Sequence, residues 1–409
     1  HTSLSKVLTL SLSRTQANMA AMHRKCFVAV HLLCLVLLLA AKAQAQQDGG
    51  DALMLQMYSN WMGKYGVRYS SSEEQQRRFT IYKNNVNFIN QANSLGHPYT
   101  LAVNRFADQT KEEFVERYLN EQQSPRLGAG PPPPPRRPPP PPPRSPPPPP
   151  LRSPPPPPLR SPPPPPPRPP PPTPPRPSPP PPPRPPPPPP PPCLTCPCLE
   201  RNWTALGAVN PIRDQAQCGS CWAFASVATI EGIWKIKKGP LLTLSEQQLV
   251  DCDSYARGCN GGSSVAAYQW VIENGGLASR TSYPYVGVNQ TCKKPLSSVA
   301  NISSYTSVTP NNETALRNAV CQQPVYVSVD ATEFQFYGGG IYNGTCGYSL
   351  NHGMTAVGYG TTPTGTKFWI LRNSWGVGWG EFGYMRIRRD YTDTRGLCGL
   401  AIRPTYPNI

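Results

Sequence analysis

A run of 62 residues, 131–192, consists almost wholly of proline and divides the chain into two parts. Proline fixes its own φ angle and donates no backbone hydrogen bond, so such a run forms neither helix, sheet nor apolar core. Polyproline II is the expected conformation, and at about 3.1 Å per residue the run would span on the order of 190 Å if fully extended. Folded domains are therefore expected only before and after it.

The proline run has two interpretations. It is a stiff spacer, or it is an arm whose regularly spaced arginines bind cell-wall polysaccharide or proline-recognition domains. Eight arginines between Arg136 and Arg184 account for much of the formal charge of +17. Residues 199–409 contain 17 Lys and Arg against 13 Asp and Glu, a near balance that predicts no nucleic-acid partner.

The beginning of the chain has the pattern of a secretory signal. Residues 1–18 show no usable pattern and are interpreted as an untranslated or extraneous lead. Residues 19–45 combine charges at 23–25, an apolar run at 27–41 and the small-x-small sequence Ala43-Gln-Ala45, which together predict a signal peptide. A membrane anchor is the alternative, but the apolar run is shorter than the roughly 20 residues that a span needs. We expect export to the extracellular space or to a vacuole or lysosome, with no membrane attachment after the signal is removed.

Glycosylation sequons agree with passage through the secretory pathway. The chain contains five Asn-x-Ser/Thr sequons, and the one at Asn202 adjoins Trp203, where a glycan would be crowded. The four candidate sites are Asn289, Asn301, Asn312 and Asn343.

Residues 46–130 form a prosegment that is predicted to be mostly helical. Six residues recur at spacings of four, four, three, four and four and therefore share one helical face. The face mixes charged, amide and aromatic groups, so it indicates either an internal hydrogen-bonded network or a solvated stripe. The six residues are Glu74, Arg78, Tyr82, Asn85, Ile89 and Asn93.

A short strand and a second helix are predicted after this face. Apolar residues alternate from Tyr99 to Asp108, which is typical of a strand. Thr110 and Glu113 have the spacing of a capping box, which predicts a helix through Tyr118.

The stretch from Gln215 to Phe224 contains the most reactive pattern in the chain, a Cys-x-x-Cys at Cys218 and Cys221. It is consistent with a redox pair, with half of a zinc site or with a thiol nucleophile. The later sequence has no second pair of ligands to complete a zinc site, which disfavours zinc binding. No βαβ pattern surrounds the two cysteines, which disfavours a redox pair. Helical spacing from Trp222 onward places Cys221 in the first turn of a helix, where the helix dipole stabilises a thiolate.

A thiol nucleophile needs a base, and His352 is the only histidine after the proline run. A buried histidine with a purely structural role is the alternative. Asn373 follows an apolar strand and is able to orient an imidazole, while Trp375 is able to shield that hydrogen bond from water.

Four segments together resemble the papain-like cysteine endopeptidases, and their plant, bromelain-like members in particular. They read QCGSCWAF from 217, CNGG from 259, SLNH from 349 and NSWGVGWG from 373. The helical face of the prosegment resembles the helical motif of the inhibitory propeptides in that family. Asn104, Phe106 and Asp108 resemble the second propeptide motif.

The resemblance implies an α+β, papain-like two-lobed fold, with a helical lobe and a β-barrel-like lobe in residues 193–409, preceded by the helical propeptide and the polyproline II linker. It implies Cys221 as nucleophile, His352 as general base and then acid, and Asn373 as the group that orients His352. The Gln215 side chain and the Cys221 N–H would form the oxyanion hole, and peptide bonds would be hydrolysed through a thiolate–imidazolium pair and a thioester acyl-enzyme. Protein or peptide substrates, the chain's own propeptide and cystatin-type inhibitors are the implied partners. No cofactor or metal is implied.

The resemblance also implies disulfides and a substrate cleft. The implied disulfides are Cys218–Cys259, Cys252–Cys292 and Cys346–Cys398, which leave the partners of Cys193, Cys196, Cys198 and Cys321 open. Arg403 would accept an acidic substrate side chain if it points inward, and would be a surface residue if it points outward. The implied substrate-binding residues are Gly261, Gly262, Ser263, Ser264, Ser328, Leu350, Asn351, Gly353, Trp375 and Arg403.

Two other functions remain possible at this point. One is a silent storage or allergen-type protein on the same fold, and the other is a wall-associated protein whose working part is the proline run. The presence of all four implied catalytic groups favours an endopeptidase made as an inhibited zymogen. The long linker lowers the effective concentration of the attached propeptide, so looser self-inhibition is expected than with a short one.

Overall fold

The computed structural model describes residues 22, 31–40, 42, 44, 50–119, 198–294 and 296–409. The proline linker and most of the predicted signal peptide lie outside these residues. In the part of the chain that is described, no helix is both long enough and apolar enough to cross a membrane. The described residues all belong to one compact unit.

Residues 50–119, the described part of the prosegment, contain three helices and one strand. Helix α1 covers residues 50–65 and is followed by α2 (Ser72–Ser94), strand β1 (Tyr99–Leu101) and α3 (Lys111–Tyr118). The Ser71 side chain accepts from the Glu74 amide and caps α2. At the start of α3 both hydrogen bonds of the predicted capping box are present, which confirms the helix start.

The polar face of α2 forms an internal network, as one of the two interpretations predicted. Arg78 Nε donates to Glu74 at 2.7 Å, and its Nη1 donates to the Asp108 carbonyl at 2.9 Å and to Glu113 at 2.6 Å. The arginine is buried. It therefore joins α2 to the start of α3 through charge-assisted hydrogen bonds.

The amides on the same face extend this network. Asn85 Nδ2 donates to the carbonyls of Ala107 and Gln109 at 2.8 and 2.9 Å. Asn93 exchanges two hydrogen bonds with the backbone of Leu101. Backbone groups that no strand or helix satisfies are paired in this way, which fixes the segment between β1 and α3 against α2.

An aromatic cluster forms the core of the prosegment. The Tyr82 ring lies 5.1 Å from that of Tyr58 and 5.5 Å from that of Trp61. All three are buried, with Val86 and Ala107 beside them. The prosegment thus has an apolar core of its own.

Helices dominate one lobe of the globular part. It contains α4 (Cys221–Lys238), α5 (Glu246–Cys252), a 3₁₀ turn (Gly258–Asn260) and α6 (Ser264–Glu273). Helix α4 runs through the centre, and its first thirteen residues are all buried. Disulfides Cys218–Cys259 and Cys252–Cys292 lie in this lobe.

A sheet dominates the other lobe. Besides β1, its strands within the described residues are β2 (Arg201–Asn202), β3 (Ser304–Ser307), β4 (Val325–Val329), β5 (Tyr337–Tyr342), β6 (His352–Thr361), β7 (Lys367–Arg372), β8 (Tyr384–Arg388) and β9 (Thr405–Asn408). Their order in the sheet is β1-β5-β8-β7-β6-β4-β9-β3, with β2 also paired to β6. Only β5 and β8 are parallel among these pairs. Disulfide Cys346–Cys398 and helix α7 (Glu313–Gln322) belong to this lobe.

The prosegment adds its strand to the edge of this sheet. Strand β1 pairs antiparallel with β5, and Tyr99 lies opposite Gly340. Gly340 has φ +85°, and a Cβ there would lie 2.4 Å from the Pro98 carbonyl oxygen. Glycine is therefore required where the two backbones meet, and the pairing covers a sheet edge.

Candidate active site

Cys221 is the first residue of α4, as the helical spacing predicted. The N-cap residue Ser220 makes no side-chain capping bond, so the helix amides and their dipole act on the sulfur. The Gly353 N–H donates to Cys221 Sγ at 3.4 Å. Trp222 donates from its indole to the Gly258 carbonyl at 3.1 Å and anchors the start of the helix.

His352 begins the buried strand β6 and meets Asn373, which directly follows β7. Its Nε2 lies 2.8 Å from Asn373 Oδ1. An amide oxygen accepts, so Nε2 carries the proton and Nδ1 keeps the lone pair. The Trp375 ring lies 4.5 Å from the imidazole and is itself buried. The predicted orienting and shielding positions are thus next to the imidazole.

Burial governs the protonation of this imidazole. His352 is fully buried, and burial lowers its pKa to about 4, while the hydrogen bond to Asn373 and the backbone of Tyr118 act in the opposite direction. Burial dominates because a charged imidazolium loses its hydration there. The imidazole is therefore neutral at pH 7 in this state.

Gln215 lies fully buried beside the cysteine and is held at both ends of its amide. Its Nε2 donates to the Cys218 carbonyl at 3.0 Å and approaches the Tyr118 carbonyl at 3.4 Å. Its Oε1 accepts from Ser374 Oγ at 2.6 Å. The sequence analysis missed Ser374, whose only signal is its place between Asn373 and Trp375.

The prosegment covers this group of residues. The end of α3 brings the Tyr118 carbonyl to the Gln215 amide. Phe106 and Phe114 pack edge-on against Trp375, with ring centroids 5.8 and 5.1 Å away. Access to the cysteine and histidine is therefore blocked by the chain itself.

Polar contacts at the edges hold the prosegment in place. Arg105 pairs with Asp214, the neighbour of Gln215, and Lys111 pairs with Glu333. Asn104 Nδ2 donates to the Gln335 carbonyl at 2.7 Å in a buried contact. Exposed ion pairs contribute little, so the buried amide and aromatic contacts dominate the docking.

Three of the implied substrate-binding residues meet close to the cysteine. Ser328 on β4 lies opposite Gly353 on β6. Arg403 Nε donates to Ser328 Oγ at 3.2 Å, so the arginine is directed toward this strand pair. Gly353, which lies opposite Ser328, is the residue whose N–H contacts the cysteine sulfur.

The other implied substrate-binding residues have structural contacts. Ser263 caps α6, and Ser264 accepts from Thr405 at 2.7 Å. Asn351 Nδ2 donates to Thr332 Oγ1 at 3.0 Å. Leu350 is buried, Gly261 ends the 3₁₀ turn, and Gly262 lies so close to Trp222 that a Cβ would be 2.5 Å from the indole. Among the described residues no group of three or more His, Cys, Asp or Glu is arranged to hold a metal ion.

Two family models match the chain. Residues 199–408 match the papain family cysteine protease domain, and residues 58–114 match the cathepsin propeptide inhibitor domain. The two matched regions coincide with the globular part and with the core of the prosegment.

Relatives with known names agree with both models. The senescence-specific cysteine protease SAG39 of rice, Oryza sativa, is 39% identical over 93% of this chain and 97% of its own length. A solved recombinant stem bromelain precursor is 36% identical, with TM-score 0.68, and covers 87% of this chain and 99% of its own. A bromelain from Ananas comosus, solved with the inhibitor E64, is 47% identical, with TM-score 0.51, over 52% of this chain and 99% of its own.

The predicted α+β, two-lobed fold and the inhibitory propeptide are both confirmed by these matches. The chain belongs to the papain family of cysteine proteases and combines the protease domain with its cathepsin-type inhibitory propeptide.

Proposed function

We propose that Cys221, His352, Asn373 and Gln215 form the catalytic group of this cysteine endopeptidase. The observation that supports this most directly is the convergence of two lobes. The cysteine sulfur at the start of α4 meets the amide of Gly353, the residue after His352, while the imidazole is held by Asn373. Thiol catalysis needs a nucleophile, a base that takes its proton and a group that orients the base.

The reaction proceeds by acyl transfer through a thioester. The Cys221 proton passes to His352 Nδ1, and the thiolate attacks the peptide carbonyl. The tetrahedral intermediate collapses when His352 returns the proton to the leaving amine. Water, deprotonated by the same imidazole, then hydrolyses the thioester and restores the thiol.

Gln215 and the Cys221 backbone amide stabilise the oxyanion. The Tyr118 carbonyl oxygen approaches Gln215 Nε2, which supports this role. A backbone carbonyl of the prosegment thus lies next to the side-chain amide that would hold the carbonyl oxygen of a substrate. Ser374 holds the other end of the amide and so fixes its donor direction.

Variants of the activated enzyme test these roles. We expect Cys221→Ser and His352→Ala to reduce kcat for a fluorogenic peptide by at least about 10²-fold, the lower end of what acid–base catalysis contributes. Ser349→Ala, an exposed side chain three residues before His352, is the matched control and should leave kcat unchanged. Full activity in either of the first two variants would refute the assignment.

Arg403 supports a preference for an acidic side chain on the residue before the scissile one. Its guanidinium is directed toward Ser328, beside the strand that contacts the cysteine. Cleavage of a peptide library should favour Glu over Leu at that position, and Arg403→Ala should remove the preference. Equal cleavage of both peptides, unchanged in Arg403→Ala, would contradict this specificity.

The remaining proposals concern the life of the precursor. We propose export to the extracellular space or a vacuole, and glycans at four sequons whose asparagines are all exposed in the structure. Cystatin-type inhibitors and, through the proline run, cell-wall polysaccharide are the proposed external partners. Deleting most of residues 131–192 should lower the residual activity of the precursor, because a shorter linker holds the propeptide closer. The same residual activity with and without these residues would refute the proposal that the long linker loosens self-inhibition. The sequons are Asn289, Asn301, Asn312 and Asn343.

A further inference from the structure

A carboxylate lies at the edge of the active site, on Asp214, one residue before Gln215. Its Oδ1 accepts from the Ala216 N–H at 2.8 Å, and the Asp214 backbone forms an antiparallel bridge with Trp375. The next backbone amide, that of Gln215, donates to the Ser374 carbonyl at 2.8 Å. The carboxylate is therefore fixed against the loop that follows β7.

An arginine of the prosegment occupies this carboxylate in the precursor. Arg105 Nη1 donates to Asp214 Oδ2, and the next residue, Phe106, packs edge-on against Trp375. The Asp214 side chain is 42% exposed even with the arginine in place. Removal of the propeptide thus leaves a solvent-accessible carboxylate that has lost this counter-ion.

The same carboxylate sets the charge of one wall of a cleft. The cleft has a volume of about 640 Å³ and lies between the prosegment and the protease domain. Its prosegment wall contains four arginines and two carboxylates, whereas Asp214 is the only charged residue among the described protease-domain residues that line it. An acidic wall of the protease domain therefore faces a basic wall of its inhibitor. The protease-domain residues of the lining are Asp214, Gln217, Trp375, Gly376, Val377 and Gly378.

The position of Trp375 indicates which part of a substrate meets Asp214. In the reaction proposed above, His352 returns a proton to the leaving amine, so this amine lies next to the imidazole. The Trp375 ring lies 4.5 Å from the same imidazole, and its backbone is bridged to Asp214. Arg403 and Ser328, which are implied for the residue before the scissile one, meet at β4 instead. A substrate chain that continues beyond the leaving amine is therefore directed along Trp375 toward Asp214.

We propose that Asp214 is a specificity-determining residue, which binds a Lys or Arg side chain of the substrate on the leaving-group side of the scissile bond. The proposal rests on the endopeptidase function proposed above. The substrate cation takes the place of Arg105 on Asp214 Oδ2, while Oδ1 keeps its hydrogen bond from the Ala216 N–H. Substrate and prosegment thus compete for one carboxylate.

Cleavage of matched peptides by the activated enzyme tests the preference. Internally quenched peptides carry Arg, its neutral isostere citrulline, or Glu at the first, second or third position after the scissile bond, and mass spectrometry locates the cut. We expect kcat/KM for Arg to exceed that for citrulline about three- to fivefold at one of these positions, the effect of a partly exposed ion pair, with Glu the poorest. Equal cleavage of the Arg and citrulline peptides at all three positions would overturn the proposal.

Two substitutions and a matched control assign the preference to Asp214. Ratios of kcat/KM between peptides are compared within each variant, so a change in overall activity cancels. Asp214→Asn should bring the ratio of Arg to citrulline to about one, and Asp214→Lys should make Glu the preferred residue. Glu333→Gln should keep the parent ratio, because Glu333 also pairs with a prosegment cation, Lys111, but lines a different cleft. An unchanged ratio in Asp214→Asn, or an equal loss in Glu333→Gln, would exclude the assignment.

Binding without cleavage separates this proposal from that of the catalytic group. The Cys221→Ser protein, freed of its propeptide by an added protease, is titrated with fluorescent Arg and citrulline peptides, and anisotropy gives each Kd. We expect the Arg peptide to bind about three- to fivefold more tightly at low salt, and about equally at about 1 M salt, where ion pairs are screened. A tighter Arg complex would support the proposal even if no peptide is cleaved. Equal Kd values at low salt would overturn it even if the enzyme cleaves both peptides.

Discussion

Acid should weaken the contact between the propeptide and the active site, and His352 should account for a defined part of this effect. Its pKa is about 4 in the docked state, against the ordinary 6.5. Undocking removes the Tyr118 backbone from the imidazole and admits water. The undocked state then binds more protons between pH 6.5 and 4, so docking loses stability as the pH falls through this window.

The size of the effect follows from the two pKa values. A pKa difference of about 2.5 corresponds to at most about 3.4 kcal/mol, at about 1.36 kcal/mol for each tenfold change in protonation. Between pH 7 and pH 4 the docking equilibrium should shift by about 3 kcal/mol, or roughly 100-fold, if the undocked imidazole is fully hydrated. Burial raises the pKa of Asp108 in the folded prosegment. This shift acts in the opposite direction to that of His352, because the folded prosegment then binds more protons than the unfolded one and gains stability as the pH falls.

A matched pair of variants isolates the contribution of His352. Hydrogen exchange at the Leu119 amide, which donates to the Val115 carbonyl at 3.1 Å, is followed between pH 7 and pH 4 in Cys221→Ser and in Cys221→Ser/His352→Gln. After correction for the intrinsic exchange rate, protection should fall with pH in the first and much less in the second. Equal pH dependence in both chains would refute the argument.

Three further substitutions test the contacts around the site. Gln215→Ala should lower kcat about 10²- to 10³-fold with little change in KM, since one oxyanion donor is lost; an unchanged kcat would refute its role. Phe106→Ala should weaken docking on Trp375 by about 3 kcal/mol and speed self-processing, measured as the half-life of the precursor. Arg78→Met should destabilise the prosegment by about 2 kcal/mol in denaturant, whereas the exposed Arg77→Met should change it by less than about 1 kcal/mol. Equal effects of the two arginine substitutions would contradict the buried network.

The sequence predicted those features that depend on local periodicity. Arg78 and Asn85 share a helical face with an aromatic residue, so the spacing predicted the face, with an internal network as one of two interpretations. The position of Cys221 at a helix start followed from helical spacing in the same way.

Features that depend on docking between distant segments were not predictable. Ser374 reaches Gln215 only because the loop after β7 folds back onto the loop before α4. The Tyr118 carbonyl lies at Gln215 because of how α3 ends against the protease domain, and a backbone carbonyl leaves no residue signature. The contact of Cys198 with Cys321 is likewise set by tertiary packing across 123 residues.

The most direct test of the central assignment is covalent labelling by a thiol-directed epoxide. The chain is treated before and after removal of the propeptide, and the adduct is located by peptide mass spectrometry. We predict one adduct, on Cys221, that forms quickly only after removal and is absent in Cys221→Ser. An adduct on another cysteine, or labelling that persists in Cys221→Ser, would contradict Cys221 as the nucleophile.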